Sequence, residues 1–432
     1  MSGEVGQIVD LEITDAAHGG VVVGRLDGRV VFTGDAIPGE RVRARLTDVS
    51  KTSFWRAETL EVTDASPHRQ RHIWPEADID RDPADRPGGA EFGHIELAHQ
   101  RDLKCHILAT ALQRTGGLDI PVEFEGPRAA SVGNHIVTEQ PDGTRWRTRV
   151  SLHVDDDGRV GAFAARSHRV IQTENLPLAT AAIERAAATL GRPAPGRIDL
   201  VQPADGHVRV LPHPGRAEGG RRGSAPRRSA DVIVEHVGSR RFRVDAGGFW
   251  QVHRLAASTL TAVVAEELAD GIDPDGWHLD LYGGVGLFGA VLGELAGPSA
   301  RITSVEGNDR ATEHAGENLA EWVGARAETA RVDRWTRALR QTISERDRER
   351  LARGTVVLDP PRTGAGAAVV DDLAALAPAS IVYVACDPVA LARDLARFAG
   401  HGYRADHVRG IDLFPHSHHM EAVALLRRDA AR

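Results

Sequence analysis

A free cysteine stands where a thiol can act as a nucleophile. Residues 382–395 read VYVACDPVALARDL: apolar, β-branched residues before Cys386 are typical of a buried parallel strand, and a helix is predicted to begin at Pro388. Cys386 would then lie at the carboxyl end of a strand and beside a helix N-terminus, where open α/β sheets bind ligands and where the pKa of a thiol can be lowered. The alternative from residue type alone is a small buried apolar side chain, as most free cysteines are.

Two further strand ends carry residues that suit a nucleoside cofactor. The segment LDLYGGVGLF places Gly284 and Gly286 at a strand-to-helix turn, where a backbone can approach a ligand closely. Glu306 ends the next predicted strand, a position where a carboxylate commonly holds ribose hydroxyls. A third polar strand end is Asp359, in VVLDPPRTGAG. The glycine turn lacks the Lys-Ser/Thr ending that a triphosphate site needs, and we expect S-adenosylmethionine rather than a dinucleotide.

Composition indicates a globular protein of two or three domains. The chain has 432 residues, of which 41% are hydrophobic and 26% charged. Two cysteines exclude a disulfide framework and a thiolate metal cage. The acidic amino terminus is unlike a signal peptide, and no apolar run reaches the ~18 residues of a membrane span, so we expect a soluble, cytoplasmic monomer. The formal net charge of −8 argues mildly against nucleic acid as a partner, although local patches decide binding.

Residues 1–66 predict a small β-barrel. Short alternating strands are separated by turn signals, including Asp27-Gly28 in a hairpin and Pro38-Gly39 in a second turn. Arginines alternate along these strands and fit either a polyanion-binding face or an ordinary solvated face, and the sequence does not separate the two: Arg25, Arg29, Arg41, Arg43 and Arg45.

Residues 67–245 predict a central α+β domain. A Pro-, Asp- and Gly-rich loop comes first, and its histidines have no metal-ligand spacing and are expected on the surface: His68, His72, His94 and His99. A helix is predicted over residues 97–118, then strands near 146–163 and a second helix over 179–190. The Arg-rich stretch 213–230 fits a flexible surface loop or a contact to RNA phosphates.

Residues 246–432 predict a doubly wound α/β sheet, because helical and strand patterns alternate from Leu255 to the end. The expected fold class is therefore multidomain, with an N-terminal OB-like barrel, a central α+β domain and a C-terminal Rossmann-like domain.

Six motifs in order carry a resemblance to a known family: FWQV at 249–252, LDLYGGVG, VEGN, LDPPR, VACDP and DLFPHSHHMEAV. The chain resembles the RNA uridine-5-methyltransferase family over essentially its whole length, and residues 1–66 resemble its RNA-binding TRAM domain. Arg147-Thr148-Arg149 and Arg166-Ser167-His168 resemble its central RNA-binding domain. The resemblance further implies that helix 97–118 packs on a class I methyltransferase domain.

The resemblance implies S-adenosylmethionine-dependent methylation of C5 of a uridine in structured RNA, with ribosomal RNA favoured over transfer RNA. Cys386 would be the nucleophile that adds to C6, and Glu421 the base that removes the C5 proton. A cytosine-5 enzyme usually employs a second nearby cysteine, and Cys105 lies instead in the predicted helix 97–118. Cofactor-binding positions would be Gln251, Tyr282, Gly284, Gly286, Glu306, Asp333 and Asp359.

Three departures from the family pattern stand out. The loop that often carries iron–sulfur ligands reads RPGGAEFGHIELAH, so we expect no iron–sulfur cluster and no metal. Asp387 replaces the usual Asn after the cysteine and would raise the thiol pKa, and Leu287 replaces a common Asn beside the cofactor. These departures keep a second hypothesis open, in which a catalytically weakened RNA-binding or assembly protein retains the fold.

Overall fold

The N-terminal strands close into a barrel. In the computed structural model, which describes residues 3–132, 135–165, 167–215 and 231–428, they pair in the order β1-β2-β3-β5-β4. Along β4 the arginines face outward while Val42, Ala44 and Leu46 are buried, so the alternating sequence produces the barrel core and confirms the predicted barrel. The strands are β1 (Ile8–Ala17), β2 (Val21–Leu26), β3 (Arg29–Thr33), β4 (Arg41–Asp48) and β5 (Phe54–Asp64).

The predicted hairpin is confirmed, since β2 and β3 pair up to Leu26 and Arg29. Its two loop residues, Asp27 and Gly28, have φ values of 49° and 83°, as a tight primed turn requires. On the outer face, Arg43 and Arg45 form ion pairs with barrel carboxylates, which favours a solvated charged surface for those two residues.

The loop after the barrel is more ordered than its composition suggests. His72 and His94 are buried, so the prediction that they lie on the surface is wrong. The His72 ring lies 3.1 Å from the Ala90 carbonyl oxygen and accepts a hydrogen bond from the Trp74 backbone N–H at 3.0 Å. These contacts fold the loop on itself, which gives polar side chains buried partners that no local pattern reveals.

The helix α1 (Leu97–Gly116) follows and ends two residues before the predicted limit at residue 118, because Gly117 adopts a left-handed φ of 64°. Beyond it, the middle part of the chain forms a five-stranded sheet with the order β11-β10-β9-β12-β13. The elements are β6 (Val122–Glu125), β7 (Ala130–Val132), β8 (His135–Val137), β9 (Arg149–Val154), β10 (Val160–Phe163), β11 (Val170–Gln172), α2 (Ala181–Ala188), β12 (Gly196–Val201), β13 (Arg209–Pro214), β14 (Val232–Val237) and β15 (Arg240–Asp245).

Helices and strands then alternate as predicted. Strands β16, β19 and β20 are buried along their whole length, which explains the mainly apolar sequences of β19 and β20, whereas β16 also buries His278 and Asp280. The elements are α3 (Ala256–Glu267), β16 (Trp277–Leu281), α4 (Leu287–Ala296), β17 (Arg301–Glu306), α5 (Asp309–Asn318), β18 (Gly324–Thr329), α6 (Val332–Thr342), α7 (Glu345–Leu351), β19 (Thr355–Leu358), α8 (Gly366–Leu376), β20 (Ser380–Ala385), α9 (Pro388–Gly400), β21 (Tyr403–Ala405), β22 (Val408–Ile411) and β23 (Glu421–Arg428).

The C-terminal sheet has the order β18-β17-β16-β19-β20-β23-β22-β6, with β21 also paired to β23. Strands β16 to β20 are mutually parallel, and β23 is antiparallel to β20. The strand order switches direction between β16 and β19: from β16 the chain proceeds to β17 and β18 on one side, and then to β19 and β20 on the other. At such a topological switch point, ligands bind at the carboxyl ends of the strands.

Helix α1 contacts both the N-terminal barrel and the C-terminal domain. It packs along α9, and its fully buried Lys104 places Nζ 2.6 Å from Oδ1 of Asp412, which follows β22. Strand β6, although early in the chain, pairs with β22 of the C-terminal sheet. The predicted domain limits at residues 66 and 245 stay predictions.

Two groups of predicted RNA contacts fall outside the described residues: Arg166, and the arginines of 216–230 in the Arg-rich stretch. Among the helices that the structure describes, none is long and apolar enough to cross a membrane.

Candidate active site

Three of the predicted cofactor residues, Tyr282, Glu306 and Asp359, lie in one row at the carboxyl edge of the sheet. The last paired residues of three adjacent strands are in register, with Leu281 opposite both Val305 and Leu358. Tyr282, Glu306 and Asp359 each come one residue later. Parallel strands in register bring successive strand ends side by side, so the polar groups that the sequence separates by up to 77 positions share one edge.

The glycine turn at Gly284 and Gly286 connects Tyr282 of this row to α4. Gly284 has a φ of 54° and Gly286 a φ of 88°, which L side chains rarely adopt, and Gly286 is the residue before α4. The Gly284 backbone N–H donates to Oε2 of Glu306 at 3.1 Å. A Cβ placed on Gly284 would meet no atom within 4 Å, so the space in front of this backbone is open to a ligand.

Asp280, which was not predicted from the sequence, stabilises the glycine turn through hydrogen bonds of its side chain. Its buried carboxylate accepts hydrogen bonds through Oδ2 from the Gly289 backbone N–H and the Ser304 hydroxyl, both at 3.0 Å. Its Oδ1 has no hydrogen-bond partner among the described residues, and burial raises its pKa to about 6. A carboxylate between two leucines of a predicted buried strand, Leu279-Asp280-Leu281, was the available sequence signal.

The carboxylates and the phenol of the row are strongly affected by burial. Burial first, and the Asp280 carboxylate second, raise the pKa of Asp359 to about 7. Burial and then Asp333 raise the pKa of Tyr282 to about 12. Asp333, in the first turn of α6, pairs with Arg331 at 2.9 Å, and this hydrogen bond lowers the pKa of Asp333. Asp333 is therefore close enough to Tyr282 to border the same site.

Gln251 forms no hydrogen bond to the residues of this row. It is half-buried between β15 and α3, and its side-chain amide has no partner among the described residues. Leu287, at the start of α4, is buried and offers no polar atom to a ligand.

The two predicted catalytic residues face each other across a strand pair. Ala385 of β20 is directly opposite Ala422 of antiparallel β23. The next pair in this register is Cys386 and Glu421, whose side chains are neighbours for that reason. Cys386 is half-buried and Glu421 is buried, at the end of the sheet that carries Asp359.

The Cys386 thiol is not activated in the way that its helix N-terminus suggested. Burial, then the charges of Glu421 and Asp359, raise its pKa to about 12, whereas Arg362 acts in the opposite direction. The expectation of a lowered pKa is therefore wrong for the protein alone. Burial and then Asp359 likewise hold the pKa of Glu421 well above its ordinary value. An acidic group with a raised pKa is a stronger base once ionised.

Asp387 has a structural role that its charge alone did not indicate. Oδ1 accepts hydrogen bonds from the backbone N–H groups of Val389 at 3.0 Å and Ala390 at 2.8 Å, and so caps α9. Oδ2 lies 3.1 Å from Nε2 of His18, a barrel residue. Burial, the largest influence, opposes the charged form, but the His18 contact and the capping bonds together lower the pKa of Asp387.

A separate cavity of about 730 Å³ lies between the barrel, the central sheet and residues 246–252. Arg147 and Arg149, predicted to contact RNA, line it, together with the stacked rings of His153 and Phe163. Arg149 donates through Nη1 to the carbonyl oxygens of residues 246 and 248, and its Nη2 forms an ion pair with Oε1 of Glu235 at 3.5 Å. Within those same residues, no group of three His, Cys, Asp or Glu side chains is arranged to hold a metal ion.

The sequence matches two family models and several RNA methyltransferases. The family model described as tRNA (Uracil-5-)-methyltransferase matches residues 272–429, and the TRAM domain model matches residues 3–57. An uncharacterized RNA methyltransferase of Streptomyces avermitilis is 36% identical, with 98% of each chain covered. One from Bifidobacterium longum is 32% identical, with 97% of this chain and 96% of the relative covered.

The fold also matches a solved structure, the Pyrococcus abyssi tRNA (uracil-54, C5)-methyltransferase in complex with S-adenosyl-L-homocysteine. The TM-score is 0.68 at 21% identity, with 96% of this chain and 99% of that chain covered. This likeness confirms the predicted arrangement of a barrel followed by a C-terminal methyltransferase fold.

Proposed function

The chain belongs to the S-adenosylmethionine-dependent RNA (uracil-5-)-methyltransferase family, and from that membership we propose that it methylates C5 of a uridine through a covalent adduct with Cys386. The proposal is supported by the β20–β23 register, whose last pair is Ala385 and Ala422, because its continuation by one residue sets Cys386 opposite Glu421. A nucleophile and a base on facing strand ends can act on adjacent atoms, C6 and C5, of one pyrimidine ring.

S-adenosylmethionine, when bound, would supply an electrophilic methyl group, whose bond to sulfur breaks on transfer and leaves S-adenosyl-L-homocysteine. The Cys386 thiolate adds to C6, and the π electrons of the C5–C6 bond move toward C5 and O4, so that C5 can accept that methyl group. Glu421 then takes the proton from C5, the C5–H electrons restore the C5–C6 double bond, and the C6–S bond breaks to regenerate the Cys386 thiolate. The raised pKa of Glu421 suits it to take a proton from carbon.

The strand-end row fits a nucleoside cofactor. Gly284 leaves open space beside its backbone, and Glu306 already positions the glycine turn at the edge where ribose hydroxyls commonly bind. We assign cofactor binding to the residues that the resemblance implied, Gln251, Tyr282, Gly284, Gly286, Glu306, Asp333 and Asp359. Gln251 has the weakest support of these, since no contact in the described residues ties it to the row.

The cavity beside the barrel is the proposed contact region for RNA bases and phosphates near the target. Two arginines and a stacked His–Phe pair supply positive charge and a surface on which an unpaired base can stack. Arg362 is exposed near Cys386 and offers a further phosphate contact. The target uridine must leave its stack or loop to reach the thiol.

Ribosomal RNA is the first substrate to test, because of the resemblance of the barrel, and transfer RNA is the second, because the solved relative is named for a tRNA uridine. Either RNA implies action in the cytoplasm, and we propose a monomer. A Cys386 pKa of about 12 favours the second hypothesis, a catalytically weakened RNA-binding or assembly protein.

The test is nucleoside analysis by mass spectrometry after incubation of unmodified ribosomal and transfer RNA with the protein and S-adenosylmethionine. We expect 5-methyluridine in one RNA class only, lost in Cys386→Ala and retained in Cys105→Ala, which removes the other thiol. RNA binding without 5-methyluridine in either class would support the assembly-protein hypothesis instead.

A further inference from the structure

A turn of the N-terminal barrel reaches the catalytic loop. His18 lies between β1 and β2, and its Nε2 is 3.1 Å from Oδ2 of Asp387, the residue that follows Cys386. The two side chains are 38% and 21% exposed, so the contact is partly shielded from water. The barrel thereby supplies a hydrogen-bonding partner one residue from the proposed nucleophile.

The position of this turn is fixed by close packing. Gly20, two residues after His18, has a φ of 74°, and a Cβ placed on it would lie 3.1–3.2 Å from atoms of His418. His418 also contacts the His18 ring edge-on, with 6.4 Å between ring centroids, and its Nδ1 lies 3.2 Å from Oε2 of Glu91. The packing of Gly20 against His418 and the contact between the two histidine rings therefore help to hold His18 near Asp387, in addition to the His18–Asp387 contact itself.

Asp387 uses its two oxygens for two purposes. Oδ1 accepts both capping hydrogen bonds of α9, and Oδ2 faces His18. Glu421 and Asp359 already disfavour the Cys386 thiolate. Without His18, Oδ2 of Asp387 would be a further carboxylate oxygen without this partner, one residue along the chain from the thiol that must ionise, and a like charge disfavours a thiolate. Asparagine caps helices about as well as aspartate but carries no charge.

We propose that His18 is a positioning residue for the uridine reaction: its contact with Asp387 offsets the carboxylate charge and holds the start of α9, so that Cys386 can add to C6. Correct seating of the barrel is then a condition for the chemical step as well as for RNA binding. This role rests on the proposed function, because it assumes that Cys386 is the nucleophile.

The test is a double-mutant cycle on His18→Ala, Asp387→Asn and the combination. The rate of covalent adduct formation is measured in single turnovers, with S-adenosylmethionine and saturating 5-fluorouridine-substituted RNA, and the RNA dissociation constant is measured separately. We expect His18→Ala to slow adduct formation about three- to tenfold, the range of a partly exposed charge-assisted contact, with the dissociation constant changed less than about twofold. In the Asp387→Asn background the same substitution should have less than about a twofold effect, because no charge remains to offset.

His106→Ala is the matched control. Nε2 of His106, in α1, lies 2.7 Å from Oδ1 of Asp15 in the barrel, so this variant removes another barrel-to-body His–Asp contact, one that does not involve Asp387. We expect it to keep the wild-type adduct rate. Equal slowing by His18→Ala and His106→Ala, or an undiminished His18→Ala effect in the Asp387→Asn background, would overturn the role of His18 alone. Absence of any adduct with the wild-type protein would overturn the proposed function and this inference together.

Discussion

Cys386 in the protein without substrate should react slowly with a disulfide reagent, because its thiol is almost entirely protonated. A pKa of about 12 instead of 9.0 leaves about a thousandfold less thiolate near pH 8. A thiolate of higher pKa is intrinsically more nucleophilic, with a Brønsted slope of about 0.4–0.5, which recovers about 16- to 32-fold. Cys386 should therefore react about 30- to 60-fold more slowly than an unperturbed, accessible thiol.

The assay is peptide-resolved mass spectrometry of mixed-disulfide formation, which separates Cys386 from Cys105. The rate at Cys386 should rise about tenfold per pH unit from pH 7 to pH 10, because the thiolate fraction keeps growing below a pKa of about 12. Glu421→Gln removes the largest like charge beside the thiol and should raise the rate at a fixed pH. Steric shielding would slow the reaction without changing its pH dependence. A plateau of the rate near pH 8–9, or no acceleration in Glu421→Gln, would refute the electrostatic account of the site.

Three further outcomes follow from the same contacts. Glu421→Gln should accumulate the RNA adduct on denaturing gels with ordinary uridine RNA and slow product release about 100- to 10,000-fold, since general bases contribute that much; rapid turnover would exclude Glu421 as the base. Glu306→Ala removes the acceptor of the Gly284 N–H and should weaken S-adenosylmethionine binding by calorimetry about tenfold or more, and an unchanged affinity would remove Glu306 from the cofactor site. Lys104→Met leaves the buried Asp412 without its closest cation and should lower the free energy of unfolding by about 3–5 kcal/mol in chemical denaturation; a loss below about 1 kcal/mol would contradict that reasoning.

The sequence predicted the strand ends well because their signals are local. Glu306 and Asp359 each follow a run rich in β-branched residues, and Tyr282 precedes a glycine turn, and the topology rules of doubly wound sheets then bring such strand ends together. The preference for S-adenosylmethionine over a dinucleotide was drawn from the glycine turn, and that argument was wrong, because Gly284, Gly286 and Gly289 have the spacing of a dinucleotide fingerprint. The family match supports the same cofactor independently of that turn.

Contacts between distant segments were not predictable from local pattern. The pairing of Cys386 with Glu421 depends on the antiparallel register of β23, and the contact of His18 with Asp387 depends on where the barrel docks. The direction of the Cys386 pKa was predicted wrongly for the same reason. A helix N-terminus is visible in the sequence, whereas burial and the facing carboxylates that outweigh it are not.

Covalent trapping tests the central claim most directly. The protein is incubated with S-adenosylmethionine and 5-fluorouridine-substituted RNA and resolved on a denaturing gel beside Cys386→Ala. Because fluorine cannot leave C5 as a proton, the account predicts a stalled protein–RNA adduct in the wild type and in Cys105→Ala, and none in Cys386→Ala. An adduct that persists in Cys386→Ala, or RNA binding without any adduct, would contradict the account.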